Sequence, residues 1–282
     1  MSAARMAVFD LDGTLLEHGA LTREAVRMLK TLRQNGVLIV IATGRHRGTV
    51  PLRLKTPRLT DYLICSNGAV VTPTGGKPLL EKVLSADDLR ALMALGDSYG
   101  CRYAVSVGRR TFLSGQEPPR RRKTKVGIGR IKRFWRYYMY PLCARTVESW
   151  ENYLSRPDAR AEKVICTPAD EMAQAAFRAA AEADGRFTAT GSNRAAEITA
   201  RGVSKGSALG LLAERLGIPK EAVIVFGNDD NDLAMKAYAG RFVAARESSP
   251  AALDAADEVA DSIPEAALRL CLPAEEKGAL NA

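Results

Sequence analysis

Two histidines in 282 residues leave little room for histidine chemistry. General base catalysis by imidazole and a Cys/His zinc site both draw on residues this chain barely has. Its five cysteines (Cys65, Cys101, Cys143, Cys166 and Cys271) are scattered without CxxC spacing, the pattern of a reduced, cytoplasmic protein. No apolar run reaches the ~18 residues of a membrane span. No signal-peptide core precedes the first apolar run at Met6, and there are no internal repeats. Acid–base work therefore falls to carboxylates.

Acids in turn are scarce in one place. Between Cys101 and Arg145 the chain carries thirteen Lys and Arg against a single acid, Glu117, so the net charge of +9 belongs to this segment and the remainder is slightly acidic. Within it, Phe134, Trp135, Tyr137, Tyr138 and Tyr140 lie among Lys132, Arg133 and Arg136. Such interleaving can stack bases while neutralising phosphates, or seat an amphipathic stretch on an anionic membrane. Two plainer readings compete: a solvated basic face whose aromatics fill a local core, and an Arg-lined surface that steers an anionic ester. Neutralising Arg120–Lys123 separates nucleic-acid or membrane contact through 120–136 from both.

What is present is a soluble globular composition, 46% apolar and 26% charged, long enough for two domains. Residues 6–10 read as a buried strand entering Asp10-Leu11-Asp12-Gly13-Thr14. Alternate side chains on a strand share a face, and Gly13 bends the chain just beyond. Both acids then sit at the open carboxyl end of a strand, where open α/β sheets bind ligands. Two carboxylates this close repel unless a cation lies between them or one keeps its proton. Thr22 caps a helix carrying Ala25, Val26, Leu29 and Leu32, stopped at Gly36. Residues 37–42 form a second strand ending in Thr43-Gly44-Arg45, making a parallel βαβ unit. A third strand, 62–65, ends in Ser66-Asn67-Gly68, with 69–72 as its hairpin partner.

After Gly75-Gly76-Lys77-Pro78 the texture changes. The pattern predicts a helix over 85–98, a hairpin over 103–107 and 111–113, an exposed loop over 116–125 and a short helix over 147–154. A strand over 163–166 follows, then an alanine-rich helix opening at Thr167-Pro168-Ala169-Asp170 with Thr167 as N-cap, and strands over 186–190 and 196–199. Hairpins mixed with helices indicate a separate α+β module. The parallel pattern then returns. Ser204 caps a helix through residue 216, and strand 222–226 ends in Gly227-Asn228-Asp229-Asp230-Asn231-Asp232. A helix over 233–239, a strand over 242–245 and a helix over 250–256 complete it, before a frayed last ten residues.

Four polar clusters thus stand at strand or helix ends: Asp10/Asp12, Thr43-Gly44-Arg45, Ser204-Lys205 and Asn228–Asp232. Helix N-termini offer unpaired N–H groups and partial positive charge, and Lys205 adds a full one, which together favour phosphate. The acid clusters supply the hard oxygens that suit Mg²⁺. Acid-bound magnesium beside an amide-and-lysine cradle is a phosphoryl-transfer site.

With these residues in place, the chain resembles the haloacid dehalogenase-like (HAD) hydrolases. Phe9-Asp10-Leu11-Asp12-Gly13-Thr14-Leu15-Leu16, Ala42-Thr43-Gly44-Arg45 and Gly202-Val203-Ser204-Lys205-Gly206 match three of the family's motifs, and Gly227–Asp232 resembles the fourth. Ile64-Cys65-Ser66-Asn67-Gly68-Ala69 and Glu197-Ile198-Thr199 are similar to the Cof-type group, whose members carry a type IIB cap. The resemblance implies an α/β fold with a Rossmann-like parallel-sheet core, 1–82 and 191–282, and an inserted α+β cap, 83–190. It implies a Mg²⁺-dependent phosphatase of small phosphorylated metabolites, sugar phosphates above all. Asp10 would attack phosphorus to give an aspartyl-phosphate, with Asp12 as acid and then base. Asp10, Asp12 through its carbonyl, and Asn228 would hold the metal, with Asp232 supporting its shell. Leu11, Thr43, Gly44, Lys205 and Asn231 would grip the phosphate. Arg45, Asn67, Arg109 and Arg110 are candidates for contact with the rest of the substrate. A phosphomutase, and a non-catalytic binding protein using its basic cap, remain as alternatives. One departure stands out: the family's usual metal-binding Asp is Asn228 here, which implies an active enzyme with weakened Mg²⁺ affinity.

Overall fold

The structure, a computed structural model, describes residues 4–17, 19–114, 143–192 and 195–272. The chain divides into two compact units, one of Met1–Gly44, Val50–Leu80 and Ser204–Ala282, the other of Arg45–Thr49 and Glu81–Val203.

Numbered along the chain, the strands of the first unit are β1 (Met6–Phe9), β2 (Leu16–Glu17), β3 (Ala20–Leu21), β4 (Leu38–Ala42), β5 (Tyr62–Cys65), β6 (Val70–Pro73), β7 (Leu80–Glu81), β16 (Val223–Gly227), β17 (Arg241–Ala245) and β18 (Glu258–Ala260). Apart from the β2–β3 ribbon they form one sheet in the order β18-β17-β16-β1-β4-β5-β6-β7. Pairing is parallel from β18 to β5 and antiparallel between β5 and β6. Helices α1 (Arg23–Gln34), α5 (Lys205–Arg215), α6 (Leu233–Lys236), α7 (Pro250–Ala255) and α8 (Ile263–Cys271) belong to the same unit.

The unbroken apolar runs follow from this arrangement. Ala7 and Phe9 pack into one hydrophobic core with residues of α1 and α8, while Met6 and Val8 pack into another with residues of α5 and α7. A strand covered on both faces has no place for a polar residue. As the sequence indicates, Thr22 caps α1, its hydroxyl accepting from Ala25 N at 3.0 Å.

Asp61 ties this core together. Its carboxylate accepts from Ile39 N at 2.8 Å and from Arg33 at 2.6 and 3.2 Å, linking α1 to the start of β4. Asp61→Ala leaves that amide and guanidinium without these acceptors, and we expect it to lower unfolding stability by about 1–3 kcal/mol in a urea titration. A midpoint matching the parent chain would exclude this role.

The second unit contains β8 (Leu84–Ser85), β9 (Arg102–Val107), β10 (Arg110–Ser114), β11 (Ala144–Val147), β12 (Arg160–Ala161), β13 (Lys163–Thr167), β14 (Phe187–Ser192) and β15 (Ala195–Ala200), with α2 (Ala86–Asp97), α3 (Trp150–Leu154) and α4 (Glu171–Ala183). Its main sheet runs β11-β10-β9-β13-β15-β14. One face is apolar, with Tyr103, Val105, Val164, Cys166 and Ile198 packed on Leu89, Leu92 and Phe177 of α2 and α4. The opposite face carries Ser106, Thr111 and Lys163 side by side across three strands, all buried.

Several boundaries differ from the sequence reading. The expected insert ends at residue 190, but β14 and β15 complete the second unit's sheet, so that unit runs on through Val203. Thr167 does not cap α4. It pairs with Arg102 at the end of β13, and Asp170 is the cap, accepting from Ala173 N at 2.8 Å. Val147 lies in β11, and only Trp150–Leu154 is helical there. The helix expected over 233–239 stops at Lys236. The loop expected over 116–125, the basic–aromatic stretch 120–140 and the last ten residues lie outside the described residues.

Candidate active site

The parallel register sets Phe9 beside both Ile41 and Phe226. It therefore brings the residues that follow each strand, Asp10, Thr43 and Asn228, to one edge of the sheet. β1 is also where the chain order reverses, with β4 on one side and β16 on the other, the position at which open α/β sheets place ligands.

Asp10 and Asp12 diverge beyond the strand. Asp10 N still bonds Phe226 O at 2.9 Å, whereas the Leu11 carbonyl accepts from Leu15 N at 3.1 Å and Leu16 N at 2.8 Å, curling the chain into a turn. Gly13 makes the turn possible with φ of +89°, and a Cβ there would come within 2.5 Å of the Asn228 amide. The Asp10 side chain is buried and that of Asp12 is exposed.

Lys205 enters from the first turn of α5, held by a capping box in which Ser204 and Ser207 each bond the other's backbone N–H at 3.0 Å. Lys205 is 2% exposed, and its ammonium donates to Asp10 Oδ1 at 2.7 Å, Asp232 Oδ1 at 2.7 Å and Asn231 Oδ1 at 3.2 Å. Burial opposes the charge, but Asp10 and Asp232 together hold the ammonium above its ordinary pKa. One cation between two buried carboxylates leaves a negative excess. Burial, reinforced by Asp232 and opposed by Lys205, pushes the Asp10 carboxyl up to about 7.

Asp232 is fully engaged. Its second oxygen accepts from Asn228 N at 2.9 Å and Asp229 N at 3.1 Å, fixing the turn that presents Asn228. On the other side, Ser66 and Asn67 are consecutive left-handed residues, with φ of 53° and 57°. This conformation costs about 1–3 kcal/mol per non-glycine residue and marks functional geometry when it persists in a buried turn. It lets Asn67 N donate to the Thr43 carbonyl at 3.2 Å and Asn67 Oδ1 accept from Asn231 Nδ2 at 3.3 Å. A polar chain therefore runs from Asp10 through Lys205, Asn231 and Asn67 to Thr43.

Asn228 faces three oxygens. One atom of its amide lies 2.9 Å from the Asp12 carbonyl, 3.0 Å from Thr14 Oγ1 and 3.3 Å from Asp10 Oδ2. Thr14 Oγ1 donates to this atom, the amide oxygen Oδ1, so the Asn228 oxygen converges with the Asp10 carboxylate and the Asp12 carbonyl. No cluster of three or more His, Cys, Asp or Glu side chains able to hold a metal occurs among the described residues. A magnesium site here would instead combine the Asp10 carboxylate, the Asp12 carbonyl and the Asn228 amide oxygen. The negative excess at Asp10 and these converging hard oxygens fit that cation.

The structure thus gathers Asp10, Leu11, Asp12, Thr43, Gly44, Asn67, Lys205, Asn228, Asn231 and Asp232 in the first unit. Arg45, Arg109 and Arg110 belong to the second. There Arg45 donates to the Thr49 carbonyl at 3.1 Å, and Arg109 and Arg110 are exposed. Sequence reasoning gave no role to Thr14, which sits against Asn228, or to His46. The buried His46 ring accepts from Gly48 N and meets Thr111 Oγ1 at 3.1 Å. Thr14 was within reach, since it closes the Asp10–Thr14 motif. Nothing local in the sequence marks His46.

A family model for haloacid dehalogenase-like hydrolases matches residues 7–269. The chain belongs to this family. It is 28% identical over 267 residues to a protein of Bacillus subtilis (strain 168) named as a phosphatase, YxeH, covering 90% of this chain and 91% of that one. It is 25% identical over 279 residues to a Streptococcus pyogenes serotype M6 protein named as a bifunctional phosphatase and peptidyl-prolyl cis-trans isomerase. That match covers 98% of this HAD chain but only 54% of the longer relative. Among solved structures, a HAD subclass IIB sugar phosphatase superposes with a TM-score of 0.74 over 94% of this chain and 98% of that one, at 20% identity. The likeness establishes the fold: a parallel-sheet HAD core with an inserted α+β unit. No helix among the described residues is long and apolar enough to cross a membrane.

Proposed function

We propose that this HAD hydrolase is a Mg²⁺-dependent phosphatase of small phosphorylated metabolites, with sugar phosphates as the leading substrate class. The observation that carries the reading is the Asp10 carboxylate, buried at the topological switch point with one oxygen bonded to Lys205 and the other facing Asn228. The phosphatase names of its relatives and the sugar phosphatase among its structural neighbours support the substrate class.

Asp10 attacks phosphorus, forming an aspartyl-phosphate as the bond to the leaving oxygen breaks. Asp12, exposed beside it, gives that oxygen its proton. Asp12 then takes a proton from the water that attacks phosphorus and frees Asp10, a contribution of roughly 10²–10⁴-fold. Lys205 and the Thr43 and Gly44 backbone bind the equatorial oxygens, with Asn231 beside Lys205. Asp10, the Asp12 carbonyl and Asn228, on the turn that Asp232 supports, would hold magnesium, which when bound would offset charge on the transferring group.

Phosphate release from p-nitrophenyl phosphate and a panel of sugar phosphates tests this reading. Release that needs Mg²⁺, stops in EDTA and disappears in Asp10→Asn is the expected result. No Asp10-dependent release from any ester would remove the proposal and favour a binding protein. Transfer of the phosphoryl group to a second sugar instead of water would identify a mutase.

A further inference from the structure

Two left-handed residues side by side in a buried turn need a reason, and the turn's neighbours supply one. Ser66 and Asn67 are followed by Gly68, itself left-handed with φ of 104°. Asparagine enters this region more readily than most side chains, whereas serine meets the ordinary Cβ penalty. The turn touches one residue from each of three segments that the phosphatase reading assigns to phosphate. Asn67 N donates to the Thr43 carbonyl at 3.2 Å, just beyond β4. Gly68 lies so close to the carbonyl of Ser204, the cap of α5, that a Cβ there would come within 2.1 Å of it. The Asn67 side chain meets that of Asn231 at 3.3 Å. Lys205 fixes the direction of this last bond. An ammonium has donors only, so the Asn231 oxygen faces Lys205 at 3.2 Å, its nitrogen faces Asn67, and Asn67 presents oxygen.

We infer that Asn67 is a positioning residue: its left-handed backbone holds Thr43, its side chain holds Asn231, and the turn thereby sets the spacing of the groups that grip phosphate. This rests on the phosphate-binding part of the proposed function. The family resemblance makes Asn67 a candidate for touching the substrate. The geometry instead turns its side-chain oxygen toward Asn231, so it acts on the phosphate through that residue. Without this oxygen, Asn231 keeps its bond to Lys205 but loses the one that fixes its nitrogen, and the amide can swing out of line with the ammonium. Backbone and side chain are separate devices, and substitution separates them. Glycine at 67 keeps the left-handed conformation and the N–H that reaches Thr43, and deletes only the amide.

The probe is inorganic phosphate, titrated by calorimetry in MgCl₂ buffer, with KM for p-nitrophenyl phosphate and thermal unfolding measured alongside. Asn67→Gly is expected to weaken phosphate binding by about three- to tenfold, the worth of one hydrogen bond, and to raise KM by a similar factor. Its Tm is expected to stay close to the parent's, because glycine enters the left-handed region without strain. The decisive comparison repeats the substitution in Asn231→Ala. There it is expected to change phosphate affinity by less than about twofold, since the group it acts through is gone. Asn67→Ala, which also lacks the amide, completes the same cycle should Asn67→Gly fail to fold. An undiminished effect in the Asn231→Ala background, an unchanged phosphate Kd in Asn67→Gly, or no phosphate binding by the parent would overturn the inference. Absence of ester hydrolysis by the parent, with the phosphate-binding cycle intact, would sink the phosphatase reading and leave this one standing.

Discussion

Replacing Lys205 by methionine is expected to destabilise the protein by about 3–5 kcal/mol and to abolish activity. The destabilisation follows from what the ammonium touches. Asp10 and Asp232 each lose a 2.7 Å partner while remaining buried, and Asn231 loses its bond as well. Methionine fills the volume without supplying a donor, so two carboxylates confront each other in a low-dielectric pocket. Arginine is not expected to rescue, because the 2% exposure of Lys205 leaves no room for a planar fork. The check is a denaturant titration in EDTA, which keeps added metal from masking the loss. A Lys205→Met midpoint within error of the parent would refute the arrangement.

Asp10→Asn is expected to separate activity from stability. Under the proposed mechanism it removes the nucleophile, a loss on the order of 10⁴-fold or more in kcat. Stability should move the other way or stay level. Lys205 faces two buried carboxylates, and burial already pushes the Asp10 carboxyl up to about 7. A neutral amide of the same shape removes the excess charge while its oxygen keeps accepting from Lys205. Residual activity above a hundredth of the parent's, or a melting temperature well below the parent's in EDTA, would contradict the reading. Sites that sacrifice stability for chemistry commonly show this split.

Much of the site was legible because strand ends announce themselves. The apolar runs before Asp10, Thr43 and Asn228 are continuous, and each stops at a polar cluster, so the parallel sheet and its active edge could be read together. Caps at Thr22 and Ser204 were equally plain. The second unit was harder. Pro168 signals a helix start, but the ladder pairing Thr167 with Arg102 overrides it and hands the cap to Asp170. The strands read over 186–190 and 196–199 were split by the insert boundary expected at 190, because their joining in one sheet depends on the pairing of β15 with β13, earlier in the chain. Ser262-Ile263-Pro264-Glu265 carries a usable start signal for α8 that was passed over. Two features had no signature at all. Nothing at Ser66 prescribes left-handed backbone, and the surroundings of the Asn228 amide come from residues 10, 12 and 14, more than 200 positions earlier.

The place of β1 at the centre of the sheet has a consequence for biosynthesis. Met6 meets Leu38 on one side and Val223 on the other, so one flank of the strand is covered early and the other waits for more than 200 further residues to leave the ribosome. Until then a fully apolar strand presents an open hydrogen-bonding edge, the kind of surface that captures other chains. The insert's residues emerge inside that interval. During synthesis this protein must therefore shelter half of its core while the segment that interrupts it is being made.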